Sequence, residues 1–161
     1  MKFVDYQMAA ATTCLPQCFC GDYLRPGLLS EAGGISGQIK RIVRGDVQLE
    51  NSRHLIAGEL GDTLWYAAMY ANLKGLNTDE VALRAELYYP RTDSISELEE
   101  MAANIVADAY IFRMASTLSQ LLGLLHNLGK MANAIGFSMH EVAEFNQVKL
   151  ADWAGRGVFR G

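Results

Sequence analysis

The chain has 161 residues, half hydrophobic and a fifth charged, which fits one folded domain over residues 1–161 with a core that needs no covalent staple. A net charge of −4 and a pI near 5.3 exclude the basic face of a dedicated nucleic-acid binder, although an acidic protein still takes nucleotides through a metal. No apolar run reaches the ~18 residues of a membrane span. MKFVDYQMAA has an early Asp5 and no apolar signal core, so a cytoplasmic protein is expected.

Residues 2–13 are predicted as a short helix. A connection rich in Cys, Pro and Gly follows, as far as Pro26-Gly27. The three cysteines, Cys14, Cys18 and Cys20, have no second cluster to pair with, so reduced thiols are expected rather than a zinc site, which lacks a fourth ligand. The second helix, about 28–44, has helical spacing of Leu28, Leu29, Ile35, Ile39, Ile42 and Val43. Lys40, Arg41 and Arg44 lie in its last turn, where cations suit the helix dipole; a phosphate contact, with Lys40 as its candidate, is the alternative. Gly33, Gly34 and Gly37 each weaken a helix by up to about 1 kcal/mol relative to Ala, so their presence suggests close approach of another backbone or a ligand.

The third helix runs from about Glu50 to Lys74 and stops at Gly75. It contains Glu59 and Asp62, three residues apart and so on one face, flanked by Leu55 and Tyr66 one turn away on either side. Carboxylates on an apolar stripe are costly to bury unless paired or bound to a cation; on a solvated face they carry no chemistry. Asn77-Thr-Asp-Glu80 predicts a capped fourth helix from about Thr78 to Pro90. Ser94 with Glu97, or Ser96 with Glu99, caps a fifth at about 96–113. A sixth covers 116–135, and Ser138 with Glu141 caps a seventh at about 139–150. Strand alternation is absent, so the fold class is all-α, a helical bundle.

GLNTDEVA at 75–82 resembles GFSMHEVA at 136–143, and at the same offset Leu60, Leu64, Ala71 and Asn72 meet Leu121, Leu125, Ala132 and Asn133. A shorter connection places Glu31 opposite Glu100. The reading is a duplicated helix pair, with repeat-like halves at about 28–82 and 97–143, packed as a pseudo-symmetric bundle. Glu59 corresponds to Gln120 and Asp62 to Gly123, so an active centre would belong to the first copy.

GLLSEAGGISGQIKR, ELGDTLWYAAMYANLKGLNTDEVA and EVAEFNQVKLADWAGRG together resemble the MazG-like nucleoside triphosphate pyrophosphohydrolases, and YQMAAATT looks like the lead helix of phage-type members. The likeness covers most of 1–82 and 136–161, with about 83–135 as extra material. The resemblance implies a bundle of the all-α NTP pyrophosphatase type in which Glu31, Glu59 and Asp62 hold Mg²⁺ or Mn²⁺ and serve catalysis. Asn146 and Lys149 match the family's Asn-x-x-Lys, which would reach the phosphates or nucleotide. The chain departs from the pattern at Ser30 and Gly34, where the family has two further acids; Glu97, Glu99 or Glu100 of the second copy are the candidates to replace them.

On that resemblance the expected reaction cuts a (d)NTP to (d)NMP and pyrophosphate, with guanine nucleotides a first candidate. Glu31 is the candidate general base, and Lys149 would offset charge on the leaving pyrophosphate. Trp65 or Trp153 would help select the base, with core packing the expected role of Trp65. The expected partners are the (d)NTP and further copies of the chain, as a dimer or tetramer, with no nucleic acid and no membrane. Two rival readings stand beside this one. The first is a degenerate nucleotide-binding or regulatory protein without catalysis. The second is a structural helical module whose Leu-rich 118–128 forms an oligomer seam.

Overall fold

A computed structural model describes residues 1–83 and 89–156. Its elements are α1 (Phe3–Ala11), a 3₁₀ turn (Pro16–Cys18), α2 (Gly21–Val43), α3 (Leu49–Leu73), α4 (Ile95–Ala115), α5 (Leu118–Ala134) and α6 (Met139–Gly155). The described residues contain no strand, only an isolated bridge between Lys2 and Ala82. The molecule is all-α, and no described helix is long and apolar enough to cross a membrane.

The longest helix, α3, is the centre of the packing: α2, α1, α5 and α6 all lie against it, while α4 bridges α2 and α5. Its small residues, Ala67, Ala68 and Ala71, are fully buried, and Leu60 and Leu64 join Leu24, Leu28 and Ile35 of α2 in the core. The apolar residues of all six helices form one core, which includes Leu121, Leu124, Leu125 and Leu128 of α5. Most of the Leu-rich stretch 118–128 is therefore packed inside its own chain. Only Leu118 and Leu122 of these leucines are exposed.

Three boundaries differ from the sequence expectation. First, α2 starts at Gly21, not near residue 28, with Pro26 inside it. Proline in the second turn forfeits one backbone hydrogen bond, but Leu24 is fully buried on the core face, and packing outweighs the break signal of Pro-Gly. Second, no helix starts at Thr78. Asn77 accepts from the Asp79 N–H at 3.1 Å, a local side-chain turn, and the chain then pairs with the start of α1. There Phe3 N–H donates to Val81 O (2.8 Å) and Leu83 N–H donates to Met1 O (3.2 Å). The remainder of the expected fourth helix, at 84–88, lies outside the described residues. Third, α6 continues past residue 150 to Gly155 and so carries Trp153 in line with Asn146 and Lys149.

The two copies read from the sequence share one turn. Gly75 and Gly136 both take positive φ, +63° and +88°. Each lets the next N–H return to the helix, Leu76 to Ala71 O (3.1 Å) and Phe137 to Ala132 O (2.9 Å), the six-to-one closure of a Schellman end. Beyond it they diverge. Ser138 and Glu141 complete a reciprocal capping box that starts α6.

Candidate metal centre

On α2, Glu31, Gly34 and Gln38 fall three and seven residues apart and so form one stripe, which faces Glu59 on α3. Carboxylate oxygens of Glu31, Glu59 and Asp62 lie within 4.8 Å of one another, and all three residues are half-buried. This is the acid cluster that the sequence proposed. Glu59 Oε1 accepts from Gln38 Nε2 at 2.9 Å. A β-carbon on Gly34 would meet the Glu59 carboxylate, so one of the three glycines on α2 has its expected close approach. Gly33 and Gly37 have none.

Asp62 is held from α6. Its Oδ1 accepts from Asn146 Nδ2 at 3.0 Å and from Lys149 Nζ. Asn146 is itself buried, and its Oδ1 accepts from the hydroxyl of Tyr6 at 2.8 Å. The α1 helix thereby fixes which way the amide points: oxygen to Tyr6, nitrogen to the acid. Lys149 Nζ also lies 4.9 Å over the ring of Trp153. The close approach of α6 to α3 depends on Gly61, where a β-carbon would fall 3.0 Å from that of Asn146.

Electrostatics in the cluster favour a cation. Burial raises the Glu31 carboxyl above its usual value, the Asp62 and Glu59 charges raise it further, and Lys149 works in the opposite direction. Burial also pushes the Tyr6 hydroxyl well up, with Asp62 adding to it, so Tyr6 remains a neutral donor. Three carboxylates offer only oxygen, the donor set that suits Mg²⁺ or Mn²⁺. The residues present fit such an ion.

A cavity of about 250 Å³ opens beside the cluster, bordered by Glu31 and Asp62 and walled by Tyr23, Trp65, Tyr66 and Trp153. Trp65 is largely core, as expected, with its Nε1–H donated to Thr13 Oγ1 at 3.0 Å. Tyr66 donates to Tyr23 at 3.1 Å, and its ring covers Gly27, where a β-carbon would sit 2.1 Å from Cε1. Leu15 and Cys18 close the cavity from the loop before α2. All three thiols are free. Burial raises that of Cys14, with Cys18 and Cys20 adding to the effect.

The structure thus gathers Glu31, Glu59, Asp62, Asn146, Lys149 and Trp153 in one place. Lys40 does not join them. It is exposed near the end of α2, nine residues beyond Glu31, or about 13 Å along the helix. Glu97, Glu99 and Glu100 are exposed on α4 and take no part in the cluster, so they do not replace the acids absent at Ser30 and Gly34. Sequence reasoning missed Tyr6, Tyr23 and Gln38. Gln38 was legible as the third member of the stripe through Glu31 and Gly34; Tyr6 was not, because 140 residues separate it from Asn146.

The chain is similar to the Gene 37 protein of Mycobacterium phage L5, at 40% identity over 78 residues, which is 42% of this chain and 67% of that protein. No protein-family model matches the chain. No solved structure matches it.

Proposed function

We propose that this chain, which belongs to the family of the Gene 37 protein of Mycobacterium phage L5, is a metal-dependent hydrolase of the MazG-like kind that cuts a nucleoside or deoxynucleoside triphosphate to the monophosphate and pyrophosphate. The observation that carries this reading is the convergence of three carboxylates with Asn146 and Lys149 beside an aromatic cavity. An acidic centre attracts a polyphosphate only through a divalent cation, and Glu31, Glu59 and Asp62 are the residues that would hold Mg²⁺ or Mn²⁺. When bound, such an ion supplies positive charge for the phosphates and lowers the pKa of a coordinated water.

The remaining work falls to the chain's own side chains. Glu31, with its carboxyl pushed up, accepts the proton of the attacking water. Gln38 fixes the Glu59 carboxylate, and Asn146 fixes that of Asp62. Lys149 is tethered next to the acids and within reach of charge that builds on the departing pyrophosphate. Trp153 and Tyr66 offer flat apolar surface to the base, and guanine nucleotides are the first to assay.

Incubating the chain with each (d)NTP and Mg²⁺ or Mn²⁺, and quantifying monophosphate and pyrophosphate, tests the reading. Turnover that disappears in Glu59→Ala and Asp62→Ala supports it; no turnover with any nucleotide at high protein concentration overturns it. Ser30 and Gly34, in place of two acids of the resembled family, favour a second reading: nucleotide binding without hydrolysis. Calorimetry that shows binding with no product formed would select it.

A further inference from the structure

A second cavity, of about 200 Å³, lies between α3 and α6, apart from the aromatic cavity beside the acid cluster. Phe137 and Phe145 wall it, their rings set edge to face with centroids 6.0 Å apart. Phe145 is 59% exposed, which leaves much of its ring open to contact. Ala57, Gly58 and Gly61 of α3 form a low floor, and a β-carbon at Gly58 would meet nothing within 4 Å. Asn146 and Lys149 line this cavity too, and both bond Asp62, which lines the aromatic one. The two cavities therefore meet at one polar divide, with Gly58 a single helical turn before Asp62. Among the described residues that line the second cavity there is no carboxylate, and Lys149 is the one fixed charge.

We infer that the second cavity holds a second base, and that the substrate is a dinucleoside polyphosphate, two nucleosides joined by a chain of phosphates. This substrate class rests on the nucleotide reading of the acid cluster. Shape and charge both point to it. A flat, uncharged ring stacks on Phe145 over the low floor of α3, and an anionic tether suits a lining with a cation and no carboxylate. A cationic ligand would find no counter-charge there. A triphosphate has one base and fills one cavity; a polyphosphate laid across the Asp62–Lys149 pair reaches both. The hydrolysis is unchanged in kind. The water oxygen bonds the phosphorus next to one nucleoside, and the bond from that phosphorus to the next bridging oxygen breaks, its electron pair leaving with the oxygen. Glu31 takes one proton of the water. Diguanosine tetraphosphate then gives guanosine monophosphate and GTP, where GTP gives the monophosphate and pyrophosphate.

Initial rates of the full chain with GTP and with diguanosine tri-, tetra- and pentaphosphate, in Mg²⁺ or Mn²⁺, provide the test. The best of these dinucleotides is expected to exceed GTP at least about tenfold in kcat/KM, the effect of one stacked base. Phe145→Ala, which removes the ring, and Gly58→Leu, which fills the cavity, should each cut that ratio about tenfold. Neither side chain is in the core, and leucine is the better helix former at 58, so both variants keep the circular dichroism of the parent. GTP turnover with no preference for any dinucleotide, or a preference that survives both variants, overturns the second base and leaves the hydrolase reading standing. Turnover of none of these substrates overturns the hydrolase reading, and titration calorimetry in Mn²⁺ then decides the second base. Tighter binding of a dinucleotide than of GTP, lost in Phe145→Ala, upholds it; equal binding overturns it.

Discussion

A β-carbon on Gly34 would lie 2.4 Å from Oε2 of Glu59: the acid occupies the space in which any other residue at 34 would need to stand. The resembled family has an acid at this position, and here the missing side chain makes room for the carboxylate opposite. The obstructing atoms belong to the free end of a flexible side chain. Gly34→Ala is therefore expected to keep the fold, and even to gain up to about 1 kcal/mol from helix propensity. It would force Glu59 away from Gln38 and from the other two acids. Saturating Mn²⁺, which at 100 times its dissociation constant adds about 2.7 kcal/mol, should then stabilise the parent in urea but not the variant. Equal stabilisation of both would show that Glu59 holds no ion.

Lys149 would compete with a metal for Asp62, since its ammonium group already bonds Oδ1 of that carboxylate. Lys149→Met should raise Mn²⁺ affinity by removing the competitor, while it lowers affinity for a non-hydrolysable triphosphate about tenfold, or ~1.4 kcal/mol. Titration calorimetry measures both. A variant that loses Mn²⁺ affinity would show that Lys149 supports the ion site instead of opposing it.

Tyr6 is fully buried, and its hydroxyl is the hydrogen-bond donor to Asn146 Oδ1. Tyr6→Phe preserves the ring and strands that oxygen, at an expected cost of about 1–3 kcal/mol in urea unfolding. Turnover should fall with it, because the Asn146 amide is then free to turn its nitrogen away from Asp62. Stability and activity both matching the parent would remove Tyr6 from the site.

Ser138 and Glu141 start α6, the helix that delivers Asn146 and Lys149. Ser138→Ala should lower stability by about 1 kcal/mol at neutral pH. The backbone N–H of Ser138, and then its hydroxyl, hold the Glu141 carboxyl below its usual 4.5. A folded-state value below the unfolded one means that this contribution is complete above about 4.5 and is lost as pH falls through the lowered value. Glu141→Gln should therefore make stability less steep with pH on the acid side of 4.5, as read by urea midpoints across that range. An unchanged slope would mean that the box is unformed in solution.

The matching turns at Gly75 and Gly136, the Ser138 cap and the stripe of Glu59 with Asp62 were legible because they depend on residues a few positions apart. The start of α2 was not. Pro26-Gly27 reads as a break, and only the burial of Leu24 against the rest of the core overrides it. Thr78 was misread for a similar reason: a capping sequence was present, but its hydroxyl bonds Gln7 of α1 and the following backbone pairs with Met1 and Phe3. Arg53 gave no signal at all. It is buried, paired with Glu50 and Asp93, and bonded to the carbonyl of Thr92, which pins the chain ahead of α4.

By itself the sequence determined the helical class, most helix ends, and the placing of Glu31, Glu59, Asp62, Asn146 and Lys149 on helix faces, since helical periodicity is a local property. Tertiary structure decided that α2, α3 and α6 bring these five together, that Lys40 and the acids of α4 stay outside, and that Gly34 is empty for the sake of Glu59. Those outcomes depend on which helices pack together and how closely. Packing is set by the whole core at once, and no stretch of the chain carries it alone.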